Sequence, residues 1–185
     1  MEMRDTQIPG CYELLPRVMR DQRGSFVKTF HAEQFSALGL RTAWAEEYYS
    51  LSYRGVLRGL HFQLPPHDLD KIVYCPSGRV LDVVLDLRVG SPAFGRHCTF
   101  DLNGEVANMI YIPKGCAHGF YTISDQALMC YKVSAVYAPE ADTGILWSSA
   151  GVDWPGAEPL ISPRDASFPM LQQFDSPFRH DGDNR

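Results

Sequence analysis

The segment Gly55-Val56-Leu57-Arg58-Gly59-Leu60-His61-Phe62-Gln63 sets an arginine and a histidine into a short apolar run punctuated by glycines. Polar groups in such a run cost a few kcal/mol each unless hydrogen bonds or a ligand satisfy them, so their presence calls for a site. Three more polar side chains are embedded in the same way: Lys71 ahead of Ile72-Val73-Tyr74, His118 beside Gly119-Phe120, and Tyr131 after Leu128-Met129-Cys130. Imidazole titrates near neutral pH and can take a proton from an acidified C–H. A lysine is almost never fully buried unpaired, so Lys71 either meets water at a strand end or points at a negative charge. Taken singly, each histidine reads as a satisfied core residue and Tyr131 as a core aromatic with a backbone partner. Together the four read as acid–base chemistry.

Different strands must deliver these groups, because all but Arg58 and His61 come from separate apolar runs. Period-two alternation dominates the middle of the chain, with Leu81, Val83, Leu85 and Leu87 on one face and Asp82, Asp86 and Arg88 on the other. Similar runs occur at 12–18, 25–31, 56–62, 71–75, 107–112, 119–123, 128–137 and 145–147. Turn chemistry separates them, as at Pro65-Pro66, Asn103-Gly104 and Pro113-Lys114-Gly115. Many short strands so punctuated predict a mainly β fold, a sandwich or barrel whose interior several strands can address at once. One short peripheral helix is expected over 31–38, ended by Gly39. Arg58 and His61 are three apart, which puts them on opposite faces of a flat strand; a bulge at Gly59 would realign them.

The 185 residues suit one domain over 1–185, with 175–185 polar enough to fray as a flexible tail without chemistry. A net charge of −5 without any lysine or arginine run argues against nucleic acid as partner. Apolar runs fall far short of the ~20 residues a membrane helix needs, and Met1 to Thr6 has no secretory character. Five scattered cysteines without a C-x-x-C pair fit reduced thiols in a cytoplasmic protein.

Collinear motifs carry a resemblance over nearly the whole chain: Asp21-Gln22-Arg23-Gly24-Ser25-Phe26, Gly55 to Gln63, Gly78 to Arg88 with Ser91-Pro92, Ile112 to Phe120, Tyr131-Lys132, Tyr137-Ala138-Pro139-Glu140, Gly144-Ile145-Leu146-Trp147 and Ser162-Pro163-Arg164-Asp165. In these it resembles the dTDP-4-dehydrorhamnose 3,5-epimerase family, cupin-type antiparallel β-barrel (jelly roll) enzymes of deoxysugar and surface-polysaccharide biosynthesis. The resemblance implies a cofactor-independent, metal-free epimerisation of a nucleotide-diphospho-4-keto-6-deoxyhexose at C3 and/or C5. It implies His61 as base, Asp165 as its dyad partner, Tyr131 as the acid on the other side of the ring, and Lys71 with His118 over the keto oxygen. It further implies Arg23 for the diphosphate, Phe26 and Tyr137 as flat surfaces for the base, and Arg58 and Gln63 around sugar and phosphate. Arg23 and Phe26 would reach into a neighbouring subunit, making the working unit a homodimer. Residue type alone would leave Asp165 a solvated loop carboxylate and Arg23 a turn arginine.

Three departures stand out. Where the family has Gln-Asp-Asn-His-Ser, this chain has Glu46-Glu47-Tyr48-Tyr49-Ser50; Leu69 replaces a glutamine and Lys28 a glutamate. A carboxylate can only accept hydrogen bonds, so Glu46 suits a base presenting an amino group, such as cytosine or guanine, and the nucleotide need not be dTDP. The competing readings are a metal-dependent cupin enzyme, which the missing H-x-H pair speaks against, and a non-catalytic sugar-nucleotide-binding barrel, which the intact set His61, Asp165, Tyr131 and Lys71 speaks against.

Overall fold

Two antiparallel sheets face each other in the computed structural model, which describes residues 1–180 and Gly182. Numbering strands in chain order, the first sheet runs β1 (Glu2–Asp5), β2 (Tyr12–Leu15), β10 (Met109–Ile112), β7 (Lys71–Ser77), β12 (Gln126–Val133), β5 (Glu46–Tyr53). The second runs β13 (Asp142–Gly144), β6 (Leu57–Gln63), β11 (Cys116–Thr122), β8 (Arg79–Asp86), β9 (His97–Asn103). A separate hairpin of β3 (Val18–Asp21) and β4 (Gly24–Val27) stands apart from both. The mainly β architecture matches the expectation.

Three apolar clusters explain why the sheets stack as they do. Between them lie Val73, Ile110 and Met129 from the first sheet against Val84, Leu102 and Phe120 from the second. On the outer face of the second sheet, Val83, Leu85 and Ala117 are covered by the C-terminal segment through Phe174 and Phe178. The outer face of the first carries Leu14, Ile72 and Met109 under α1 (Ala32–Ala37), whose Phe35 is fully buried. Gly39, at φ 72°, ends that helix as anticipated. Because the second sheet is packed on both faces there, β8 is buried throughout its second half, and its polar residue Asp82 points into the barrel while Val83 and Leu85 point out.

Several elements differ from the sequence reading. The strands β1, β5 and β9 were not anticipated, since none shows clean apolar alternation; β5 is Glu-Glu-Tyr-Tyr-Ser-Leu-Ser-Tyr. The strand expected at 145–147 is displaced to Asp142–Gly144, and Trp147–Ser149 form a 3-10 turn instead. The expected fraying from residue 175 does not hold over 175–180. Ser176 and Phe178 are buried, the Ser176 hydroxyl donates to the Leu87 carbonyl, and the Phe178 ring packs 5.6 Å from Phe62. One buried phenyl outweighs polar neighbours, and composition averages it away. Residues 181 and 183–185 of that segment lie outside the described residues.

Candidate active site

Between the sheets opens a cavity of roughly 420 Å³, mostly apolar with a few convergent polar groups, the size and character of a small-molecule site. Its walls are the inner faces of β6 and β11 on one side and of β5, β7 and β12 on the other. His61 and His118 are register partners across β6 and β11, so their side chains stand next to each other. Between Arg58 and His61 the pairing slips: two residues of β6, Gly59 and Leu60, oppose one of β11, Gly119, the bulge foreseen at Gly59. Both Arg58 and His61 consequently face the cavity.

Gly59 makes that bulge at φ +134°, and a Cβ there would lie 2.5 Å from the Cα of Gly119. Its N–H also donates to Asp165 Oδ2 at 3.1 Å. Gly59→Ala is therefore expected to cost ~2 kcal/mol or more, from left-handed strain plus overpacking, read as a clear drop in melting temperature. An unchanged melting curve would contradict this account of the bulge.

Asp165 is 3% exposed, so it is no solvated loop carboxylate. It sits in α2 (Pro163–Ala166), where Ser162 is the N-cap and accepts from the Asp165 N–H at 3.1 Å. Its Oδ1 lies 2.9 Å from His61 Nε2, close but not in line for a full hydrogen bond. Burial works against its charged form, yet His61, the Gly59 N–H and the Ser162 hydroxyl outweigh it and hold the carboxyl down at about 2. For His61, burial is the largest influence and lowers its pKa; Asp165 opposes this, while the positive charges of Lys71 and Arg164 add to it. The imidazole is therefore a free base at neutral pH, with Nδ1 left to take a proton.

Lys71, at the start of β7, donates from Nζ to the His61 carbonyl at 3.2 Å. Burial brings it down to about 8, against the pull of Asp142 and Asp82. Tyr131 is buried among Met129 and Phe120, and burial pushes its phenol well above the usual range, so it is a neutral donor. His118 lines the cavity, and its Nε2 sits 2.6 Å from Asp82 Oδ2, a buried pair in which the carboxylate fixes the ring.

The remaining expected site residues divide. Glu46 and Tyr137 line the cavity and touch each other, the Tyr137 N–H donating to Glu46 Oε1 at 3.0 Å. Gln63 lines it too, but its amide is committed to backbone, donating to the His67 carbonyl at 2.7 Å and accepting from the Ala138 N–H at 2.7 Å. It braces the loop that carries Tyr137. Arg23 and Phe26 are not brought in: they lie on the β3–β4 hairpin, exposed, with Arg23 Nη2 2.6 Å from Asp21 Oδ2. Among the described residues no three His, Cys, Asp or Glu side chains come together as a metal site.

A family model described as dTDP-4-dehydrorhamnose 3,5-epimerase matches residues 5–173. The chain belongs to that family. It is 39% identical over 168 residues to the dTDP-4-dehydrorhamnose 3,5-epimerase of Shigella flexneri, covering 89% of this chain and 93% of the relative. It is equally, 39%, identical over 176 residues to a dTDP-4-dehydrorhamnose 3-epimerase of Streptomyces niveus, covering 94% and 85%. The solved epimerase of Legionella pneumophila with dTDP-4-keto-L-rhamnose superposes with a TM-score of 0.91 at 35% identity, covering 97% of this chain and 98% of that one. The fold is thus the cupin-type jelly roll, and the enzyme is an epimerase of nucleotide-linked 4-keto-6-deoxy sugars.

Within this epimerase, several site residues escaped sequence reasoning. Asp82 was read as the polar side of a two-faced strand, although a carboxylate inside Val80-Leu81-Asp82-Val83-Val84-Leu85 is a signal for a buried partner. Arg164 pairs with Asp142 through Nη1 and lies 3.4 Å from Asp165 Oδ1 through Nε. Tyr48 and Ser50 belong to β5, which was not foreseen as a strand. For Asp165 a signal existed: Ser-Pro-Arg-Asp is a helix start with proline at the first position and an acid at the third.

Proposed function

We propose that His61 removes the proton beside the 4-keto group and that Tyr131 returns one from the opposite side of the sugar ring. The observation that carries this reading is that the free imidazole and the neutral phenol come from facing walls of one cavity, His61 from β6 and Tyr131 from β12. His61 Nδ1 takes the C–H proton and becomes imidazolium, stabilised by Asp165; the electron pair moves to the keto oxygen as an enolate. Lys71 supplies positive charge and an N–H to that oxygen beside the His118 ring, electrostatic stabilisation set before the charge develops. Tyr131 then gives its phenolic proton to the carbon, inverting it, and both groups return to their starting protonation by exchange with water. The chain works as one domain in the cytoplasm, a setting its five free thiols suit. No helix is long and apolar enough to cross a membrane among the described residues.

The working unit is a homodimer in which the β3–β4 hairpin of one subunit supplies Arg23 and Phe26 to the other's site. Support comes from the hairpin's exposure, with Phe26 57% and Met19 44% exposed, and from the outer face of edge strand β5, where Tyr49, Leu51 and Tyr53 are uncovered. Mixing refolded His61→Ala and Arg23→Ala subunits, each inactive alone, should restore activity to about a quarter of wild type, because half the dimers carry one intact site. Mixtures as inactive as the parents would exclude a shared site.

The deciding experiment is incubation of 4-keto-6-deoxyhexose nucleotides carrying dTDP, CDP, GDP or UDP in deuterated water, read by NMR. Label entering C3 or C5 with inversion supports the assignment and reports carbon and base together. Glu46 keeps Oε2 for an amino group while Oε1 holds the Tyr137 N–H. An absence of label from every substrate would refute it.

A further inference from the structure

Tyr48 lies directly opposite Tyr131 in the β5–β12 register, and the two rings stack with centroids 4.9 Å apart at an interplanar angle of 19°. Two residues on, on the same face of β5, the Ser50 hydroxyl lies 3.1 Å from the Tyr131 hydroxyl. His118 meets Tyr131 edge-on at 6.2 Å and 75°. The phenol is thus fixed at three points: one ring face, one edge and the hydroxyl. Two of the three come from β5, an edge strand bonded only to β12.

We propose that Tyr48 and Ser50 are positioning residues that hold Tyr131 in the one orientation from which it can protonate the enolate, and so set the share of turnovers that end in inversion. This rests on the reading of Tyr131 as proton donor. The partition is kinetic. Once His61 has taken the proton, the enolate either regains a hydron from the imidazolium, returning the starting sugar, or takes one from Tyr131, giving the inverted one. Tyr48 is 47% exposed whereas Tyr131 is 8% exposed, so Tyr48 covers the face of the phenol that would otherwise meet the open cavity. Without it, Tyr131 gains rotamers that face water instead of sugar. The choice matters because relatives of equal identity include both a 3,5-epimerase and a 3-epimerase. Overall identity therefore does not set the regiochemistry, and the orientation of the acid is a feature that the two carbons would sense differently.

The test is the ratio of deuterium in recovered substrate to deuterium in inverted product, measured separately at C3 and C5. In Tyr48→Ala that ratio should rise about tenfold or more while total label uptake, which reports His61, changes less. Ser50→Ala should move it the same way by a smaller factor, and Tyr48→Phe, which keeps the stacked ring, should restore it. A ratio unchanged in Tyr48→Ala, or label in substrate and product falling by the same factor, would overturn the proposal. Melting curves separate misfolding from mispositioning, and Tyr48→Leu provides a bulk-preserving variant should the alanine protein fail to fold. Failure of the underlying reading has a different signature: inversion would survive in Tyr131→Phe, or wild type would take up no label.

Discussion

Replacing His61 by alanine should abolish solvent deuterium uptake at both C3 and C5 while nucleotide binding, followed by calorimetry, stays near wild type. The loss expected is ~10²–10⁴-fold, the range over which a positioned general base acts. The reasoning is electrostatic and geometric. Burial and the nearby charges of Lys71 and Arg164 keep the ring neutral, and Asp165 at 2.9 Å stands ready to stabilise the imidazolium once formed. His118 on the same wall pairs with Asp82 in the same way, but its side chain is only 5% exposed against 27% for His61, so it is less open to the sugar. Uptake of label persisting in this variant would remove His61 from the mechanism.

Changing Lys71 to methionine should lower kcat by ~10²–10³-fold with a much smaller change in KM, because the ammonium is needed where charge develops. Its pH dependence gives a sharper test. Lys71 is brought down to about 8, so it is protonated below that value and loses its charge as pH rises through it. His61 must be neutral, and its pKa is lowered, so kcat/KM should rise through a value below the ordinary histidine ~6.5, level off, and fall around the lysine's value. Tyr131 titrates far too high to produce that alkaline limb. Lys71→Arg, which keeps its charge at any working pH, should carry the limb upward. A limb left in place by that variant would assign it to another group and end the case for Lys71.

How much of this was legible depended on whether a residue's surroundings were local. The bulge at Gly59 was readable because two polar residues three apart in one strand cannot otherwise share a face. The inward placement of Tyr131 is compatible with its parity in the run, which it shares with Ala127, Met129 and Val133, all of them buried. The β5 strand was not readable, because its inner face carries Glu46, Tyr48, Ser50 and Ser52, chosen for what they touch in the cavity rather than for packing. Each has a partner there: Tyr137, Tyr131, the Tyr131 hydroxyl and Arg58. A strand selected by contacts shows no apolar period. Gln63 had the right place but another task, since which carbonyl its amide meets depends on a loop four residues away and another some seventy away.

From the chain alone came the β class and the set of titratable side chains His61, Lys71 and Tyr131 in apolar runs, because side-chain chemistry and strand periodicity are local properties; the family and the roles proposed for these residues came with its motifs. Only the folded arrangement decided that His61 and Tyr131 stand on facing walls, that Asp165 is buried behind the imidazole and that Asp82 orients His118. It also decided that the Phe178 ring pins the chain's end. These depend on which strands become neighbours, a matter settled by the joint burial of three apolar clusters drawn from across the sequence.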